Sequence, residues 1–97
     1  MFRIRSVRDF AAQYSGKVVL MHFRGQLGSR HVLIGELTTS PLGATLPMYF
    51  ENSDKSGGGA IALRARDLVD PGMFFDIVPE ETWATMQFSS DKRPILG

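Results

Sequence analysis

A chain of 97 residues, 43% of them hydrophobic, is long enough for one domain with its own core. It contains no cysteine, which excludes a disulfide framework, a zinc–thiolate site and a thiol nucleophile. A net charge of +1 gives little general attraction for nucleic acid, and no apolar run approaches the roughly 20 residues of a membrane-spanning helix.

The small net charge hides an asymmetry. Residues 1–35 carry Arg3, Arg5, Arg8, Lys17, Arg24 and Arg30 against the single acid Asp9, whereas most acids fall in the remainder. Either the two halves pair within one fold, or the surface is dipolar and suited to an anion or to self-association. Met1 to Arg5 is charged but has no apolar stretch behind it, so no signal peptide is read there and the cytoplasm is the expected compartment.

In chain order, the first element is a helix. Ser6 is a capping residue, Asp9 suits the positive end of the helix dipole, and Val7, Phe10, Ala11 and Tyr14 recur at helical spacing. Gly16 ends it. A helix this short needs a surface to lean on.

Residues 17–24 and 30–38 are rich in strand formers, and the glycines of 25–29 permit a hairpin turn. Val18 and Leu20 share one face; Val19, Met21 and Phe23 share the other. A strand apolar on both faces is expected to be covered twice. The helix can supply one cover. A second layer, barrel curvature or another copy of the chain must supply the other.

Pro41 and Gly43 mark a turn, and residues 44–51 read as a third strand, in which Pro47 argues for an edge or a bulge. Residues 52–59 form a glycine-rich loop. In 60–66, Ile61 and Leu63 alternate with Arg64 and Arg66, a half-buried strand. Asp70-Pro71-Gly72 is a turn, and 73–78 is a fifth strand, with Phe74 and Phe75 on opposite faces. Pro79, Glu80 and Glu81 open a short helix with Trp83 and Met86 on its buried side. The expected domain is 1–88, with 89–97 a loose tail.

No motif here specifies chemistry. The glycines beside Lys55 and Ser56 could hold an anion on backbone N–H groups, but the order is not that of a P-loop. Asp54-Lys55-Ser56-Gly57-Gly58-Gly59 is similar to the Asp-x-Ser-x-x-Gly signature of PilZ domains, small barrels that bind cyclic di-GMP. That family's upstream Arg-x-x-x-Arg has no counterpart: the pairs Arg3/Arg5, Arg3/Arg8 and Arg24/Arg30 all have other spacings, so no site carries over. His22 and His31 sit on the two hairpin arms. In some registers they could begin a metal site with Glu36, but no complete ligand set is read. Serine, histidine and aspartate are present without a nucleophile elbow or other triad signature.

These observations predict an α+β domain: a strongly bent antiparallel sheet of about five strands, tending to a small open barrel, with a short helix near each end. The expected function is a non-enzymatic binding or protein-interaction domain, a homodimer, with no cofactor. Ligand or anion contacts are expected from Arg24, Arg30, Arg64, Arg66, Lys55, Ser56, Gly57 and Gly58. Met21, Phe23, Phe74 and Phe75 are the expected interface. Two alternatives remain open. One is a small enzyme or ligand binder with a pocket between sheet and helix or between subunits. The other is a nucleic-acid-binding barrel with its arginines on one face.

Overall fold

The computed structural model describes residues 1–23, 25, 28–52, 59–69 and 72–96. Among them, one antiparallel sheet contains strands β1 (Phe2–Ile4), β2 (Val18–His22), β3 (Ser29–Ile34), β4 (Thr38–Ser40), β5 (Gly43–Phe50), β6 (Ala60–Arg64) and β7 (Met73–Ile77). The order is β1-β7-β2-β3-β5-β4, with β6 on the other side of β5. The sheet is bent but open, and among the described residues β6 pairs only with β5.

Helix α1 (Val7–Tyr14) forms as its sequence requires. Ser6 is extended and its hydroxyl accepts the Asp9 N–H at 3.3 Å. Val7, Phe10 and Ala11 are buried. Phe10 meets Phe75 edge-on, with ring centroids 4.9 Å apart, which seats the helix on the sheet. Gly16 leaves the helix at φ +80°, and its N–H donates to Ile34 O at 2.7 Å, turning the chain directly into β2.

The two-sided hairpin is present. Its register pairs Val18 with Leu33, Val19 with Val32, Leu20 with His31, and His22 with Ser29. Val19, Met21, Val32, Ile34, Leu46, Met48, Phe50, Leu63 and Phe75 join α1 in one core. Val18 and Leu33 face the other way, into a second core with Val78, Trp83 and Phe88. The second cover over Val18 and Leu33 is therefore the chain's own C-terminal segment.

Residues 89–95, expected to be a loose tail, are strapped to the sheet. The buried Ser89 hydroxyl donates to Phe50 O and accepts from Gly59 N–H, and Ile95 N–H donates to Gly16 O at 2.7 Å. The helix expected after Pro79 is a 3-10 segment, Glu80–Thr85, held by bonds such as Thr82 N–H to Pro79 O at 3.0 Å. Trp83 is buried and its indole N–H donates to Val78 O at 3.1 Å.

Pro47 corrects another expectation. It lies in β5 inside the sheet, not on an edge: β6 pairs it with Ala62 on one side, and on the other the β3 pairing stops at Met48. The irregularity sits in the neighbouring chain at residues 35–37, between β3 and β4. Pro47 needs no N–H there, and its carbonyl accepts the Gly35 N–H at 2.8 Å. Strand β6 also ends earlier than expected, at Arg64. The chain turns because the Asp67 carboxylate accepts the Arg64 N–H at 2.8 Å, so Arg66 falls in a 3-10 turn.

Candidate functional site

On the outer face of the sheet, register aligns Arg3, Phe74, His22 and Ser29 in one row across β1, β7, β2 and β3. The next row holds Asp76, Leu20 and His31. Leu20 packs against the Trp83–Phe88 cover, and His22, Ser29, His31 and Asp76 put polar groups on this half of the face.

His22 links two of them. Its Nε2 lies 2.7 Å from Asp76 Oδ2, and its Nδ1 lies 2.8 Å from Ser29 Oγ. The other Asp76 oxygen is 2.9 Å from the chain's amino group. The hydrogen bond from that amino group, then the one from His22, holds the Asp76 carboxyl below the usual carboxylate range, against an opposing desolvation by burial. A carboxylate that stays ionised only accepts, so His22 Nε2 carries the hydrogen. In the neutral imidazole, Nδ1 is then the acceptor and Ser29 donates to it.

The lowered Asp76 value has a consequence for stability. Its contribution is present above the ordinary aspartate pKa and is lost as pH falls through the lowered folded-state value. Asp76→Asn is expected to flatten the acid limb of the stability profile below about pH 4. Urea melts across a pH series measure this, and an acid limb identical to wild type would contradict it.

His31 has a separate partner, with Nδ1 3.1 Å from Glu51 Oε1. The two histidines share a face but are offset by two residues in register, and each is occupied by its own acid. Glu36 lies elsewhere, in a cleft of about 440 Å³ with Ser15, Lys92 and Arg93. Among the described residues no group of three potential ligands could hold a metal.

Of the expected ligand contacts, Arg24, Lys55, Ser56, Gly57 and Gly58 lie outside the described residues, as does most of the stretch similar to the PilZ signature. Arg30 is on the inner face, its guanidinium 5.1 Å from the Phe50 ring centroid. Arg64 shares the opposite face with Thr45 and Ala62. Arg30 and Arg64 thus do not form the single cationic face that a nucleic-acid barrel would need. Of the expected interface, Met21 and Phe75 are buried in the core beneath α1, because bending turns that face inward. Phe23 and Phe74 are half-buried.

Phe23 instead helps line an apolar cleft of about 320 Å³ with Met48, Ile61, Leu63, Val69 and Met73. The cleft lies beside β6, where the sheet fails to close. Phe23 meets Phe50 edge-on at 5.6 Å, so Arg30 stands one ring away from the cleft. Asp67 is the acid in its wall.

The Ser29–His22–Asp76 chain had no linear signature. Ser29 and His22 are paired by the hairpin, so a register would have joined them. Asp76 enters from β7, 54 residues from His22, and no local pattern announces that. No protein-family model, curated protein or solved structure matches this chain.

Proposed function

We propose that the chain is a small binding domain whose ligand seat is the cleft between β6 and the start of β7, and that the ligand is an apolar small molecule. What carries this reading is the convergence of Phe23, Met48, Ile61, Leu63 and Met73 on one open cleft of about 320 Å³. Ligand sites are concave, mostly apolar and furnished with few polar groups, and roughly 300 Å³ is the lower end of their range. Leaving β6 and β7 unpaired forgoes ladder bonds between them, and it leaves the half-buried Phe23, Ile61 and Met73 with water as their alternative partner. Arg30, over Phe50 one ring outside the lining, favours an acidic group at that end of the ligand, whereas Asp67 in the wall disfavours one beside it.

The test is titration with 1-anilinonaphthalene-8-sulfonate, an apolar ring system bearing one anion, read by fluorescence and calorimetry on the folded protein. Ile61→Trp, which fills the cleft, and Met73→Glu, which puts a charge in it, are each expected to weaken binding at least tenfold. Arg30→Gln is expected to weaken it by a smaller factor. Equal affinity in wild type and both cleft variants, with folding intact by circular dichroism, would refute the assignment.

A further inference from the structure

We propose that Ser29 is a nucleophilic serine, activated by His22 and positioned through Asp76, and that activated esters acylate it. The three groups form one hydrogen-bonded chain on adjacent strands: Ser29 Oγ to His22 Nδ1 at 2.8 Å, and His22 Nε2 to Asp76 Oδ2 at 2.7 Å. The polarity of the chain is that of a serine–histidine–acid relay, with the two imidazole nitrogens exchanged. Asp76 fixes the tautomer that leaves a lone pair on Nδ1, and Nδ1 is the atom facing the serine oxygen.

The backbone holds this arrangement. His22 and Ser29 are directly paired in the β2–β3 ladder, and the Phe23 N–H donates to Gly28 O at 2.7 Å, closing the hairpin just beyond them. Asp76 is diagonal to His22, opposite Leu20 on β7. All three side chains lie among the described residues. Ser29 is exposed and His22 is partly exposed, so an electrophile reaches the oxygen without any opening of the fold.

In the reaction, Ser29 Oγ bonds to the ester carbonyl carbon as its proton passes to His22 Nδ1. The bond from that carbon to the leaving oxygen breaks, and His22 returns the proton to the departing oxygen. Water, deprotonated in turn by His22, then releases the acid and restores the serine. A site on an open sheet surface is suited to esters with good leaving groups, not to amides, because the leaving oxygen departs with little assistance. This activity is independent of the apolar cleft: Phe23 lies on the opposite face of β2 from His22.

The experiment treats the folded chain with a small phosphonofluoridate and, separately, with p-nitrophenyl acetate, and maps adducts by peptide mass spectrometry. The phosphonofluoridate reacts by the same logic, forming an oxygen–phosphorus bond at Ser29 and expelling fluoride. The expected result is one adduct, on Ser29, which is absent in Ser29→Ala. His22→Ala is expected to slow labelling at least about 100-fold, the usual worth of a positioned general base. Asp76→Asn slows it while the adduct stays on Ser29. His31→Ala, which leaves the chain of bonds intact, labels at the wild-type rate. No adduct on Ser29 in the wild-type protein overturns the proposal. So does labelling at an equal rate in His22→Ala or in urea-unfolded protein. Cleft variants that lose dye binding but keep this labelling separate the two sites.

Discussion

Replacing Phe88 with alanine is expected to destabilise the protein by about 3–5 kcal/mol, the range for truncating a fully buried aromatic side chain. Phe88 is 1% exposed and sits among Val18, Leu33, Val78 and Trp83, on the sheet face that α1 does not cover. Removing its ring costs the transfer free energy of the lost atoms and leaves a cavity that a sheet on one side and a 3-10 segment on the other cannot readily close. The backbone adds to the effect. Phe88 bridges to Glu51, and the next residue, Ser89, holds Phe50 and Gly59 together. In a domain of 97 residues each kilocalorie moves the melting temperature by roughly 4–8 °C, so a fall of at least about 12 °C is expected by differential scanning calorimetry. A loss under about 1 kcal/mol in urea melts would mean that the C-terminal segment does not seal this face.

That face also separates what was readable in the sequence from what was not. The two-sided apolar pattern at residues 18–23 stated that a second cover exists, but not which residues supply it. Val78, Trp83 and Phe88 supply it; Trp83 was legible as the buried side of a short segment after Pro79, but Phe88 and the Ser89 that braces it follow no helical or strand period. The helix was legible because cap, acid and apolar stripe agree on its limits, and the hairpin because apolar runs flank glycines. β1 was not. It is three residues long, only Ile4 is buried, and its partner β7 lies some seventy positions away in the chain. β4, Thr38-Thr39-Ser40, is exposed throughout and exists only because β5 lies beside it.

The same reasoning applies to the polar face. A hairpin register suffices to place Ser29 beside His22, whereas Asp76 arrives by the long-range pairing of β7 with β2. Charge runs pointed instead to arginines. Strand parity then sends Arg30 inward over Phe50 and Arg64 outward, so proximity in a list of basic residues did not become proximity in space. The phenylalanine pair behaved as alternation requires. Phe75 enters the core and Phe74 stays half-exposed in the row that holds His22.

Gly35→Ala is expected to destabilise the protein by about 1–3 kcal/mol through overpacking. Its backbone does not occupy the left-handed region, so the cost is not conformational. A Cβ there would lie 2.8 Å from Pro47 Cγ, 3.0 Å from Pro47 O and 3.0 Å from the Tyr49 ring. Two of these neighbours cannot retreat freely: the carbonyl accepts the Gly35 N–H, and the proline ring is fixed to its backbone. The crowding arises in the break between β3 and β4, where Gly35 lies against Pro47 of β5. Gly43→Ala is the useful comparison, because that added Cβ meets nothing within 4 Å and any cost comes from its φ of +123° alone. A double-mutant cycle separates the contacts at Gly35. In a Pro47→Ala background the ring is gone but the carbonyl remains, so Gly35→Ala should cost less by at least about 0.5 kcal/mol without becoming neutral. Chemical denaturation of the four proteins measures this, and strict additivity would show that the cost at Gly35 does not come from its close approach to the Pro47 ring.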